Sequence, residues 1–200
     1  ADQIAAFVTD HKVAAKSIGI EYLEGSKRIA ISLGYRDDEA PYPIKVESVP
    51  LGKIGDLDSG DVTTGLLASS SGYWRRLAVI PGQPDALAGL ADRSLTLIDT
   101  TGGTVPSATN RTTVLTNGYF PDVAVAPDGS RLVVGRSEAG FHGFKAYSTA
   151  DLTELHSYPL TSQYDPEPGS VAFRPDGTLA VAWQDTLNQY YYLRYYKPGA

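Results

Sequence analysis

The chain has 200 residues, 42% hydrophobic and 20% charged, an ordinary globular make-up that argues against a disordered or collagen-like polypeptide. A formal charge of −6 with no basic run disfavours nucleic acid as a partner, because such binding draws on clustered Lys and Arg. There is no Cys, which excludes disulfides, thiolate zinc sites and cysteine nucleophiles, and no apolar run approaches the roughly 20 residues needed to span a bilayer.

In chain order, the sequence opens "ADQIAAF", with a small residue and not Met at position 1. That fits the product of signal-peptide cleavage, although a proteolytic boundary would read the same. Residues 4–11 and 13–18 fit short helix or strand, strand being the expectation for the first, and residues 3–8 could complete the last repeat at the far end of the chain. From Ile20 the chain reads "IEYLEGSKRIAISLG", the first and loosest copy of a pattern that then recurs. The later copies are "LAVIPGQPDALAGL" from Leu77, "VAVAPDGSRLVVG" from Val123 and "VAFRPDGTLAVAW" from Val171. Each is an alternating strand, a polar Gly-containing turn and a second apolar strand. The turn glycines Gly25, Gly82, Gly129 and Gly177 recur at intervals of roughly 50 residues.

The turns have a mechanism. Pro127 and Pro175 preset φ at the corner, Asp128 and Asp176 can bond their own backbone, and Gly129 and Gly177 accept the positive φ that other residues resist. Asp-Gly between two apolar runs is a strong hairpin signal. A third strand is expected after each hairpin, at 44–49, 94–99, 143–148 and 190–196. A fourth follows, clearest at 153–160 and weaker at 104–109. No segment keeps helical periodicity beyond about two turns, so the fold class is all-β, built from repeats at 18–70, 71–118, 119–166 and 167–200 of one domain.

Four antiparallel strands at this period resemble a β-propeller, a fold related to WD40. The stretches "VAVAPDGSRLVVG" and "VAFRPDGTLAVAW" resemble the YVTN, NHL and TolB-like repeats of secreted bacterial propellers. The resemblance implies about four blades, with residues 1–17 able to supply a closing strand, or else a portion of a larger ring of 6–8 blades completed by a second chain or by further sequence. It also implies a secreted or cell-surface location. The first strand of each blade would be innermost, with the "PDG" turns on one face and the ligand side on the other.

On that other face the resemblance gathers two sets of loops. Tyr73, Trp74, Tyr119, Phe120 and Tyr164 stand at one repeated position just before the inner strand, and Tyr35 lies in a loop between second and third strands. Arg36, Arg75, Arg136, Glu138, His142, Asp165, Gln184 and Asp185 add charge or polarity around them. Aromatics beside Arg and carboxylates suit a protein or glycan partner. The competing reading is that an aromatic here wedges between blades. Asp37, Asp38 and Glu39 are the weak metal candidates, because oxygen-rich loops can hold Ca²⁺, yet the EF-hand spacing is missing. Of the three histidines only His142 falls on the ligand side, His156 sits on an outer strand, and no Gly-x-Ser-x-Gly elbow occurs. Asn110-Arg-Thr matches a glycosylation sequon, a weak signal. The strand "YYYLRYY" (Tyr190–Tyr196) is expected to be buried between sheets.

The function expected is therefore a non-enzymatic scaffold that needs no cofactor. The alternatives are a lactonase- or hydrolase-type propeller enzyme, with a metal or acid/base groups in the central channel, and a subunit of a multi-chain secreted assembly.

Overall fold

The structure, a computed structural model, describes residues 19–33, 44–50, 65–70, 74–92, 94–100, 111–114, 118–119, 122–160 and 166–198. These form four antiparallel sheets, one per sequence repeat. Blade one contains β1 (Ile20–Leu23), β2 (Arg28–Leu33), β3 (Ile44–Pro50) and β4 (Gly65–Ser70). Blade two contains β5 (Trp74–Val79), β6 (Ala86–Ala91), β7 (Ser94–Asp99) and β8 (Arg111–Val114). Blade three holds the short β9 (Gly118–Tyr119) and then β10 (Val123–Val125), β11 (Arg131–Glu138), β12 (Phe141–Ser148) and β13 (Glu154–Pro159). Blade four has β14 (Pro166–Phe173), β15 (Leu179–Asp185) and β16 (Tyr190–Tyr196).

The third strands fall where the alternation predicts them. The fourth strand of blade two does not: it is Arg111–Val114, and the expected 104–109 lies outside the described residues, as do the closing-strand candidate 3–8 and the sequon's Asn110.

The hairpin turns follow their chemistry. The Asp128 carboxylate accepts hydrogen bonds from the Ser130 amide (3.0 Å) and hydroxyl (2.8 Å), and Asp176 accepts one from the Thr178 amide (2.9 Å). These bonds hold both carboxyls below the usual carboxylate range. Their charged forms are thus favoured by folding, a contribution present at neutral pH and lost as pH falls through the lowered values. Gly82, Gly129 and Gly177 all have positive φ, at 77°, 69° and 81°.

A second repeated device was not read from the sequence. Thr100 and Thr149 each follow a third strand and are buried. The Thr100 amide and hydroxyl donate to the Asp85 carbonyl (2.7 and 2.6 Å), while Thr149 donates to the carbonyls of Ser130 and Gly129. Each threonine thereby ties its own blade's third strand to its hairpin turn.

Side-chain alternation gives every blade two flanks, and the core is built where flanks meet. Leu23, Ala30, Val46 and Leu67 of blade one pack on Leu77, Leu87 and Ile98 of blade two. Ala88, Leu90 and Leu95 of blade two pack on Val123, Leu132 and Val134 of blade three. Val133, Phe144 and Ala146 of blade three pack on Val171, Leu179 and Val181 of blade four. Among the described residues these three clusters join one to two, two to three and three to four, and none of them joins four to one.

Candidate functional site

Three groupings near the loop face and the inner strands carry the chemistry. The first was missed by sequence reading. Asp122 immediately precedes the inner strand β10 and is buried. Its Oδ1 accepts hydrogen bonds from Arg76 Nε (3.0 Å) and the Val123 amide (2.9 Å), and its Oδ2 accepts one from the Val171 amide (3.2 Å). Arg76 lies on β5 and Val171 on β14, so one carboxylate ties the inner strands of blades two, three and four. Arg76 also acts electrostatically on Glu21 of β1, whose carboxyl is raised first by burial and partly brought back by that guanidinium. The only sequence signal was an acid directly ahead of an inner strand, indistinguishable there from loop polarity. Asp122→Asn should cost about 1–3 kcal/mol, because an amide N–H must then face a donor. Urea unfolding of the variant checks this.

The second grouping is a polar network in blade three. The Arg136 guanidinium bonds the Tyr147 hydroxyl (2.8 Å) and pairs with Glu138 (2.5 Å). Lys145 Nζ stands 3.9 Å from Glu138 and donates to Glu154 at 3.0 Å. Burial is the largest influence on the Glu154 carboxyl and raises it, but hydrogen bonds from Ser157 and Lys145, with the charges of Lys145 and Arg136, outweigh it and leave it lowered. Burial raises the Tyr147 phenol against the opposing charge of Arg136. On the opposite flank Ser137 Oγ lies 2.8 Å from His142 Nδ1 across the hairpin. Arg136, Glu138 and His142 were expected on a loop. They are strand residues, because β11 and β12 continue to a two-residue turn at Ala139 and Gly140.

The third is the β15–β16 hairpin. Asp185 is buried, and its Oδ1 accepts from the amides of Leu187 (3.0 Å) and Asn188 (3.1 Å) while its Oδ2 accepts from the Asn188 side chain (3.1 Å). It staples the turn from within. At the tip, Leu187 is 72% exposed, and Tyr190 and Tyr191 beside it are exposed too.

The remaining expectations divide plainly. Trp74 is 0% exposed and belongs to the core between blades one and two, so it is a wedge and not a rim residue. Arg75 is exposed and pairs with Asp92 at 2.6 Å. Gln184 is half-buried on β15. Tyr35, Arg36, Asp37, Asp38, Glu39, Tyr73, Phe120, Tyr164 and Asp165 lie outside the described residues, and Tyr119 is placed only as backbone pairing Ser137. Among the described residues no group of three or more His, Asp or Glu is arranged to hold a metal, and no helix is long and apolar enough to cross a membrane. His156 is exposed on β13, edge-on to Tyr158. The expected burial of "YYYLRYY" is corrected: Tyr190, Tyr191, Tyr192, Leu193 and Tyr195 are exposed, because β16 is the edge strand of its sheet and, among the described residues, no sheet covers the flank that carries Tyr191, Leu193 and Tyr195. A groove of about 400 Å³ lies on the opposite, turn-bearing face, lined by Ile80, Pro84, Asp85, Leu97, Asp99 and Thr149 among others.

No protein-family model matches the chain, and no curated protein matches it in sequence. Its backbone, however, superposes on the Cps50 (Swd1) β-propeller domain of Myceliophteria thermophila with a TM-score of 0.64 at 12% identity, over 94% of this chain and 55% of that one. The fold is a β-propeller. The chain is also similar to Kuenenia stuttgartiensis hydrazine synthase (TM-score 0.57, 16% identity, 91% of this chain and 49% of that one). A further similarity is to Chaetomium thermophilum Raptor (TM-score 0.52, 13% identity, 92% and 20%). The propeller described here thus spans about half or less of the length of each of these chains.

Proposed function

We propose that this propeller is a non-enzymatic scaffold that binds a protein partner through its loop face, with the β15–β16 hairpin as an anchor. The observation that carries this reading is the Asp185 staple beneath Leu187, Tyr190 and Tyr191. Large exposed apolar side chains on a pre-ordered turn bind without first losing loop entropy, and Tyr is enriched among interface hot spots. The charged groups nearby support the same reading. Asp122 serves three blades at once, and Arg136 and Glu138 are engaged with each other and with Tyr147, which are architectural duties. The resemblance of the repeats to those of secreted propellers supports a location outside the cell or on its surface, which fractionation of the native source would test.

A photo-crosslinking amino acid at position 187 tests the anchor in the native source. The expected result is a discrete protein adduct that is lost in Tyr190→Ser and several-fold weaker in Asp185→Ala, since releasing the turn costs about 0.5–1.5 kcal/mol per side chain reordered on binding. No protein adduct, or retention on immobilised glycans that depends on Tyr190, would overturn the protein-partner reading.

A further inference from the structure

The strand registers align the hairpins of successive blades. Just beyond each turn, Arg28 pairs with Pro50 in blade one, Ala86 with Asp99 in blade two and Arg131 with Ser148 in blade three. Arg28, Ala86 and Arg131 are therefore equivalent, and of these three blades only the second has a small side chain there. The amides of Thr100 and Thr149, bonded to the carbonyls of Asp85 and Ser130, give the same alignment at the turn. Asp85 and Asp99 thus stand where blade three has Ser130 and Ser148, so the corner forms without acids.

Arg131 alternates with Val133 on the flank that blade four covers, and its guanidinium lies 5.8 Å from the ring centroid of Phe173 in blade four. Ala86 alternates with Ala88 on the flank that blade three covers. It leaves the corresponding place open, and the groove of about 400 Å³ lies there with Ala86 in its wall. Ile80, Pro84 and Leu97 give it apolar surface, Asp85 and Asp99 give it carboxylates, and among the described residues that line it none is cationic. The Ser26 amide fixes Asp85 through Oδ1 (2.7 Å), and the carboxylate keeps lone pairs for further donors. The hydrogen bonds of Thr100 and Thr149 hold both walls in place before anything binds.

We propose that this groove receives an arginine side chain of a protein partner, seated between blades two and three as the chain's own Arg131 is seated between blades three and four. The aliphatic stem lies along Ile80, Pro84 and Leu97, and the planar guanidinium donates to Asp85 and Asp99. The net charge of −6 favours a basic partner. The groove is on the turn-bearing face, so this site stands or falls separately from the Leu187 anchor on the loop face.

Amide NMR titration of the isotope-labelled chain with the peptide acetyl-Ala-Arg-Ala-Arg-Ala-amide tests it. Saturable shifts are expected at Asp85, Ala86, Leu97, Asp99 and Thr149. Replacing arginine by citrulline, which keeps the shape and removes the charge, should weaken binding about tenfold or more, as should Asp99→Asn. Ala86→Arg should abolish binding without lowering the melting temperature, because it supplies within the chain the side chain that blade three carries. Equal binding of the citrulline peptide, or shifts confined to other residues, would overturn the proposal. So would an Ala86→Arg variant that still binds, or one that fails to fold, since the groove would then not accommodate a guanidinium. A response of the same amides to calcium chloride and not to the peptide would make the two acids part of a metal site instead.

Discussion

Trp74→Ala should lower the unfolding free energy by about 3–5 kcal/mol, the usual cost of emptying a buried aromatic site. Trp74 is fully buried, and it sits where Leu23, Ala30, Val46 and Leu67 of blade one meet Leu77, Leu87 and Ile98 of blade two. Its ring lies over Gly89: a Cβ there would come within 2.4 Å of Trp74 Cζ3. The indole thus fills space that blade two leaves open by using glycine on β6. Neighbouring backbone on two blades would have to collapse together to fill the void, and sheets resist that. Tyr191→Ala is the control. Tyr191 is 79% exposed, and its loss should shift stability by less than about 0.5 kcal/mol. Equilibrium urea unfolding of both variants separates the cases. Equal, small effects would mean that Trp74 is not the wedge between blades one and two.

Gly129→Ala should cost about 2–5 kcal/mol, and a comparison across the repeats separates the two causes. Gly82, Gly129 and Gly177 share nearly the same positive φ, so Ala at each incurs the same left-handed penalty of about 1–2 kcal/mol. Their surroundings differ. A Cβ on Gly82 meets nothing within 4 Å, and one on Gly177 meets only the Pro198 side chain, at 3.3 Å from Cγ. A Cβ on Gly129 would fall 2.1 Å from the Pro81 carbonyl oxygen, which is backbone of the neighbouring blade and cannot swing aside. Forcing the two turns apart adds about 1–3 kcal/mol. The expected order of destabilisation is therefore Gly129→Ala well above Gly177→Ala, and Gly82→Ala least. Equal losses at all three would show that the turns of blades two and three do not touch.

These two residues also mark the limit of what could be read in advance. The repeat, its turns and three strands per blade were legible, because alternation, Asp-Gly turns and spacing are local properties of the chain. Asp128, Asp176 and the positive φ of Gly129 and Gly177 follow from the same local chemistry. The candidate site was legible only as a set of positions. Nothing in "SGYWRR" or "RSEAGFHG" says that Trp74 enters a core, or that Arg136 runs back along its blade to Tyr147.

Tertiary structure decided three things that no local pattern encodes. It chose which side of each strand meets a neighbouring blade, which buried Trp74 and left the flank with Leu193 and Tyr195 bare. It turned Asp122 from a loop acid into a tie among three inner strands, through partners 46 and 49 residues away. It made Asp185 the buried staple of a turn that holds Leu187 out in the open. The physical reason is common to all three. Backbone hydrogen bonding and turn geometry are set by residues close in sequence, whereas burial is set by what another blade brings to the same place. The sequence alone determined that the blades exist and how each hairpin turns. Which surfaces those blades cover and which they leave open was decided by their packing side by side.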